Sequence, residues 1–399
     1  VETSGILTRA PPAGQRAGCA IARAIREYVS VGEQRPQPNP EWSPRMWLGC
    51  DLFAWIRLLW LGRMAFGWRQ LRTLPIATML SSVHTFLRYV QHGLYGERIR
   101  QARVESPIFI LGHWRSGTTL LHELLVLDPR HGSPNTYECF DPNHPLLTAH
   151  LIPKYFGWML PARRMMDNMP VGWDRPQEDE FALALLGAPS PYLTIAFPNR
   201  GSLDSEALDL DGLPPWERTR WERLFVHFLK TVAVRDPRRL VLKSPPHTCR
   251  IPTLVRLFPD ARFVHIVRNP YEVFASTMNL WKKMYMAQGL QTPSFAGLEE
   301  RVFATGVHFH RRLAATRGLV PTGQFHELKY EDLTKDPTAE LRRLYDHLDF
   351  GDFEHVRPHL ERYLAETARY ERNRWELTAE DRAAIADRWD EVIRAYGYD

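Results

Sequence analysis

A chain of 399 residues with 44% hydrophobic content can bury a full core, in one large domain or two smaller ones, and is not a disordered polypeptide. Its net charge of +5, from 51 basic and 46 acidic residues, is dispersed, without like-charged runs or a basic helical face, so no nucleic-acid partner is expected. The four cysteines, Cys19, Cys50, Cys139 and Cys249, form no closely spaced pair and suggest neither a zinc site nor a disulfide framework; a reducing, cytoplasmic location is expected.

Residues 1–45 are rich in Pro, Gly, Arg and Gln, lack sustained periodicity and read as a loose arm. The composition changes at Met46. MWLGCDLFAWIRLLWLGRMAFGW carries Trp47, Trp55, Trp60 and Trp68, broken by Asp51, Arg57 and Arg63, and TLPIATMLSSVHTFL (73–87) has no charge at all. A spanning helix needs about 20 largely apolar residues, and neither run supplies them cleanly. Residues 46–100 therefore read as a hydrophobic helical segment with two outcomes. Either it packs as a helical pair on the main domain or at a homodimer interface, or residues 46–95 lie on a bilayer as a peripheral membrane contact. Tryptophan and arginine suit the second outcome; Asp51 opposes it.

From residue 101 to 399, strands alternate with helices. PIFILG (107–112) is a buried strand, and TTLLHELLVL (118–127) a helix that Asp128 and Pro129 end. A loop-rich stretch from Asp141 to Asp236 holds one strong helix, PWERTRWERLFVHFLKTVAV (215–234). RRLVLK (238–243), ARFVHIV (261–267) and QFHELKY (324–330) are further strands. DPTAELRRLYDHL (336–348) is a helix capped by Asp336 with Pro337 first, and a last helix starts at the capping pattern TAED (378–381) and ends before Gly397. The alternation predicts an α/β fold: a parallel sheet flanked by helices, with its ligand beyond the carboxyl ends of the strands.

Those strand ends carry the chemistry. In GHWRSGTT, Gly112 and Gly117 hold the glycine places of the phosphate-binding pattern GxxxxGK[ST], but Thr118 stands where the lysine belongs. The amides of residues 116 to 119, at a helix start, still suit a phosphate-like anion. The next strand ends in Lys243 within LVLKSPPH, and the one after leads into Arg268 within HIVRNPYEVFAS. A nucleotide triphosphatase needs an acid at such a place to hold magnesium. Three basic residues there point instead to an anionic ligand bound without metal.

The GHWRSGTT loop, the LKSP turn and the RNPYEVFAS segment together resemble the P-loop sulfotransferase superfamily, from about residue 105 to the C-terminus. The resemblance implies transfer of a sulfuryl group from 3′-phosphoadenosine 5′-phosphosulfate (PAPS) to a hydroxyl or amine. It implies that Arg115, Ser116, Gly117, Thr118 and Thr119 bind the 5′-phosphosulfate, and that Arg268 and Ser276 hold the 3′-phosphate. Arginine rather than lysine at 115 is similar to the bacterial and tyrosylprotein branch. That likeness gives Lys243 a catalytic place and makes Glu138, in NTYECFDPNHP, the first choice for the base. His247, His144 and His113 are rivals, and a plain cap carboxylate paired to an arginine is the alternative for Glu138.

In DRPQEDEFAL (174–183) the acids read as a solvated helix start or, if they face the crevice, as Glu178 or Asp179 orienting an acceptor or pairing with Lys243. SPYLTIAFPNRG (190–201) is core or acceptor pocket, and RYERNRW (369–375) loosely resembles the segment that closes over the nucleotide. Two other classes use similar features: a P-loop kinase or NTPase, and a non-catalytic membrane-associated binding protein. The acceptor stays open among sugar, lipid, small alcohol and peptide tyrosine.

Overall fold

The computed structural model describes residues 45–155, 172–201, 203, 205–367 and 376–398. The arm at 1–44 and the RYERNRW segment lie outside them. The described residues fall in one compact unit, which includes the hydrophobic segment at 46–100.

Its centre is a five-stranded parallel sheet: β1 (Ile108–Leu111), β2 (His131–Gly132), β3 (Arg239–Lys243), β4 (Arg262–Val267) and β5 (Phe325–Lys329), in the order β2-β3-β1-β4-β5. Four of these match predicted strands within a residue or two. The fifth, β2, is two residues long and pairs His131 with Arg239 and Gly132 with Leu240. Such a short edge carries no apolar pattern to read.

All of β1 is buried, as a central strand covered on both faces must be. Side chains alternate along it, so Phe109 and Leu111 join one apolar cluster while Ile108 and Ile110 join the other. On the first face Phe109 meets Phe225, Phe258 and Phe263. On the second, Ile110 shares a cluster with Leu121, Leu124 and Leu125 from the Thr118–Leu125 helix. Each such burial contributes about 1.5–3 kcal/mol. Because β1 lies between β3 and β4, the chain leaves it toward one side and later crosses to the other. The switch point therefore falls at the carboxyl end of β1, where ligands bind in open parallel sheets.

The N-terminal segment does form a helical pair, Leu52–Leu61 and Thr73–Gln101. Asp51 caps the first by accepting from the Ala54 amide at 2.7 Å and pairs with Arg88 of the second. The carboxylate that argued against an interfacial element thus faces inward. Trp47 and Trp55 are core residues, whereas Trp60 and Trp68 are 76% and 86% exposed. At the other end, Thr378 and Asp381 form the predicted capping box, but the helix is two pieces, Ala379–Arg388 and Asp390–Tyr396. Trp389 divides them. Its buried indole donates to the Phe303 carbonyl at 3.0 Å, and that anchor turns the chain.

Candidate active site at the strand ends

The loop after β1 bends through two left-handed residues. Gly117 has φ 106°, and a Cβ there would come within 2.3 Å of the Tyr330 ring, so only glycine fits. Arg115 also sits at φ 70°, a strained place for a long side chain. That conformation sends its guanidinium to Ser276, whose hydroxyl accepts from Nε at 2.8 Å. The Gly112 amide donates to the Thr248 hydroxyl at 2.8 Å, and the Ser116 hydroxyl donates to the His113 carbonyl at 2.8 Å, which fixes the loop from both sides. Gly117 is the N-cap of the helix that Thr118 and Thr119 begin.

Arg268 follows β4. It donates to the Arg115 carbonyl at 3.2 Å, lies over the Tyr330 ring at 4.3 Å and pairs with Glu272. Asn269 caps the next helix by accepting from the Tyr271 amide at 3.0 Å, Pro270 begins it, and Ser276 stands on it two turns in. Arg115, Arg268 and Ser276 are thus joined by direct contacts around one loop, although they lie 161 positions apart at the extremes.

Lys243, at the end of β3, is buried. Its Nζ donates to Glu178 at 2.6 Å and reaches the Thr119 hydroxyl at 3.4 Å, which brings it to the same loop. The other Glu178 oxygen accepts from the Tyr192 hydroxyl, which in turn accepts from the Trp114 indole at 2.9 Å. Asp179 accepts from Ser244 at 3.0 Å and meets His247 Nε2 at 2.8 Å; Glu180 binds Arg250 at 2.5 Å. The tract 178–180 is therefore buried rather than a solvated helix start, and its three acids answer three bases on the 243–250 turn. Burial opposes the charge on Asp179, yet His247 and Ser244 hold that carboxyl below its ordinary value. Tyr192, Trp114 and Arg250 were not foreseen as parts of this network. The sign complementarity of the tract EDE with K, H and R on the 243–250 turn was the available signal.

The expected base candidates have the following surroundings. Glu138 closes the capping box of its own short helix (Thr136–Phe140) with Asn135, and Arg235 grips both its oxygens, at 2.5 and 3.0 Å. Burial raises its pKa against the pull of Arg235. His247 is fully buried, edge-on to Phe109, and its Nδ1 has no partner. His113 is walled in by Trp114, Phe309 and Trp389, and burial pulls it down to about 4. His144 contacts His84 and Asp141 instead.

The family described as "Sulfotransferase family" matches residues 107–354, the stretch that holds the half-buried Arg115, the buried Lys243 and the Arg268 and Ser276 side of the crevice. The chain belongs to the sulfotransferase family. This sulfotransferase is 46% identical over 360 residues to the omega-hydroxy-beta-dihydromenaquinone-9 sulfotransferases Stf3 of Mycobacterium bovis and Mycobacterium tuberculosis, covering 90% of its own chain and 92% of theirs. Its fold is that of the sulfotransferase STF1 of Mycobacterium tuberculosis, with a TM-score of 0.61 at 20% identity, covering 85% of this chain and 91% of that one. The sulfotransferase STF9 of Mycobacterium avium gives 0.57 at 21%, covering 80% and 85%. The sulfotransferase is thus an enzyme of sulfuryl transfer, and the NTPase and non-catalytic readings fall away.

Proposed function

We propose that this sulfotransferase carries a sulfuryl group from PAPS to a hydroxyl on a membrane-resident lipid, of the ω-hydroxylated menaquinone class named for its 46% identical relatives. The acceptor oxygen forms a bond to sulfur as the bond from sulfur to the bridging phosphate oxygen breaks, and the hydroxyl proton passes to a base. The leaving 5′-phosphate gains negative charge. Arg115 and Lys243, cations held in place by their neighbours, stabilise that charge together with the amides of residues 116–119. Arg268 and Ser276 hold the 3′-phosphate. No magnesium is required, because protein cations take its place.

For the base we favour Glu178 over Glu138. Glu178 touches Lys243, which reaches Thr119, and Tyr192, whereas Arg235 occupies both oxygens of Glu138. Donor binding gives Lys243 a second anion to meet, which loosens its hold on Glu178 and leaves a carboxylate oxygen for the acceptor proton.

The observation that carries the lipid assignment is the uncovered face of the helical pair. Phe53, Ile56 and Trp60 follow one another at helical spacing on the first helix, and Ile76, Met79, Val83 and Phe86 do so on the second, all exposed. Exposed Arg63, Arg69 and Arg72 cluster at the turn between them. No helix among the described residues is long and apolar enough to cross a membrane. An apolar stripe flanked by arginines suits the surface of an anionic bilayer. The turn also packs on the acceptor side: Phe66 meets Phe197 edge-on at 5.8 Å, five residues after Tyr192.

The test is transfer of label from ³⁵S-PAPS to vesicles carrying an ω-hydroxylated menaquinone. Label in the organic phase, increasing with vesicle surface, is the expected result. Label confined to water-soluble alcohols or sugars would overturn the lipid assignment.

A further inference from the structure

The segment that follows Glu138 meets the long N-terminal helix at a cluster that sulfuryl transfer does not use. His84, on the Thr73–Gln101 helix, places Nδ1 2.7 Å from His144 Nε2 and 3.4 Å from Asp141 Oδ1; His144 Nε2 lies 3.3 Å from the same oxygen. Three potential metal donors from two parts of the chain therefore surround one point. The groups behind them are also set. Tyr137 donates to the outer oxygen of Asp141 at 2.8 Å, and His144 Nδ1 meets the Thr148 hydroxyl at 2.9 Å, which leaves Oδ1 and Nε2 to face inward. Asp141 Oδ1 is buried without a hydrogen-bond partner.

We propose that His84, Asp141 and His144 bind a divalent transition cation, zinc above all, which clips the N-terminal helical pair to the core. Two imidazoles and one carboxylate are a borderline-to-hard donor set that selects zinc-like ions over calcium or magnesium. A tetrahedral zinc with bonds of about 2.0–2.1 Å has ligand-to-ligand edges of about 3.3 Å. Two of the three edges here already have that length, at 3.4 and 3.3 Å. Only the contact between the two imidazole nitrogens, at 2.7 Å, has to open.

The side chains of His84 and Asp141 are 16% and 14% exposed, so a water can complete the coordination. Tyr137 and Thr148 play the part of the outer groups that orient metal ligands. The clip lies beside other ties between the same elements, in which Gln91 accepts from the Leu146 amide at 2.8 Å and Asn143 donates to the Gly49 carbonyl at 2.9 Å. A cation there fixes the exposed apolar face relative to the crevice. It takes no part in binding the donor.

The experiment uses the untagged full chain, stripped with chelator and desalted, then titrated with Zn²⁺ against a chromogenic competitor and, separately, with Co²⁺. The wild type is expected to retain one equivalent of zinc, to give the visible bands of tetrahedral cobalt, and to unfold at a higher temperature with zinc than without. Asp141→Asn, which keeps the shape of the side chain, and His84→Ala should lose the tight equivalent, the cobalt bands and the thermal shift. Thr148→Val should weaken zinc roughly ten- to hundredfold while sparing all three ligands. His355→Ala, at an exposed histidine whose nearest carboxylate is Asp352 at 3.8 Å, should change nothing. A wild type that holds no more zinc than Asp141→Asn would overturn the proposal. So would a cobalt spectrum untouched by both ligand variants, which would leave a hydrogen-bonded cluster without a cation.

Discussion

At the strand ends, Lys243, Glu178, Asp179, His247, Glu180 and Arg250 are all buried, and each acid meets a basic residue. On the helical pair, Phe53, Ile56, Trp60, Met79 and Phe86 are exposed among the described residues. The two regions violate the usual distribution of residues in opposite directions, charge inside and oil outside. Burying an ion costs several kcal/mol unless it is paired, so the first region is tolerable only as a finished network. The second is tolerable only where a partner surface covers it for part of the time. On the proposed reading, one region receives a charged donor and the other meets an apolar phase.

The largest effect should come from removing the acidic side of the crevice. Glu178→Gln keeps size and one hydrogen-bonding oxygen, and turnover should fall by roughly 10²–10⁴ with donor affinity nearly intact. Glu138→Gln should leave turnover within a few-fold and lower the urea midpoint instead, because it breaks a capping box and the Arg235 pair. The reverse outcome in steady-state assays would return the role of base to Glu138.

Next in size is the inner face of the helical pair. Trp55 is 1% exposed, and Trp55→Ala should cost about 3–5 kcal/mol in denaturant unfolding.

A smaller effect, and a pH-dependent one, belongs to Asp128. Burial opposes its charge, but hydrogen bonds from Arg130 and Tyr345 hold its carboxyl below the ordinary 3.8. A carboxyl lowered on folding adds stability that is complete above its unfolded pKa and lost as the pH falls through the folded value. The gap in stability between wild type and Asp128→Asn should therefore be constant above about pH 5 and close below about pH 4. Urea titrations across that window measure it, and a gap that stays constant to pH 3 would contradict the assignment.

The smallest change in stability should come from the outer face. Trp60→Ser with Trp68→Ser should alter unfolding by no more than about 0.5 kcal/mol each, yet co-sedimentation with anionic liposomes should drop sharply. Unchanged co-sedimentation would leave the apolar face without a bilayer as its partner.

Much of the donor side was legible in the sequence because it is local. A glycine loop, a basic residue after each neighbouring strand and an Asn-Pro helix start all sit within short windows, and the parallel sheet brings the windows together. Glu178 was harder to place. Its sequence context fits a solvated helix start equally well, and only the packing of a segment 65 positions earlier brings it to Lys243. Glu138 shows the same limit: its spacing from the loop is legible, but its pairing with Arg235, almost a hundred positions later, is not. The tryptophans of the helical pair could not be sorted from sequence either, since both stripes of an amphipathic pair are apolar here. The His84–Asp141–His144 cluster is invisible to a search for close ligand spacing, because a helix 60 residues away supplies one member.

The central claim is that a metal-free crevice of protein cations holds the sulfuryl donor, and the most direct measurement is calorimetric binding of adenosine 3′,5′-bisphosphate in excess chelator. Wild type should bind it without added metal, and Arg268→Ala should bind more weakly by about 1.5–3 kcal/mol, the worth of a hydrogen bond to a charged group. ATP with Mg²⁺ should compete poorly. Binding that appears only when Mg²⁺ is restored, or that survives Arg268→Ala unchanged, would contradict the account.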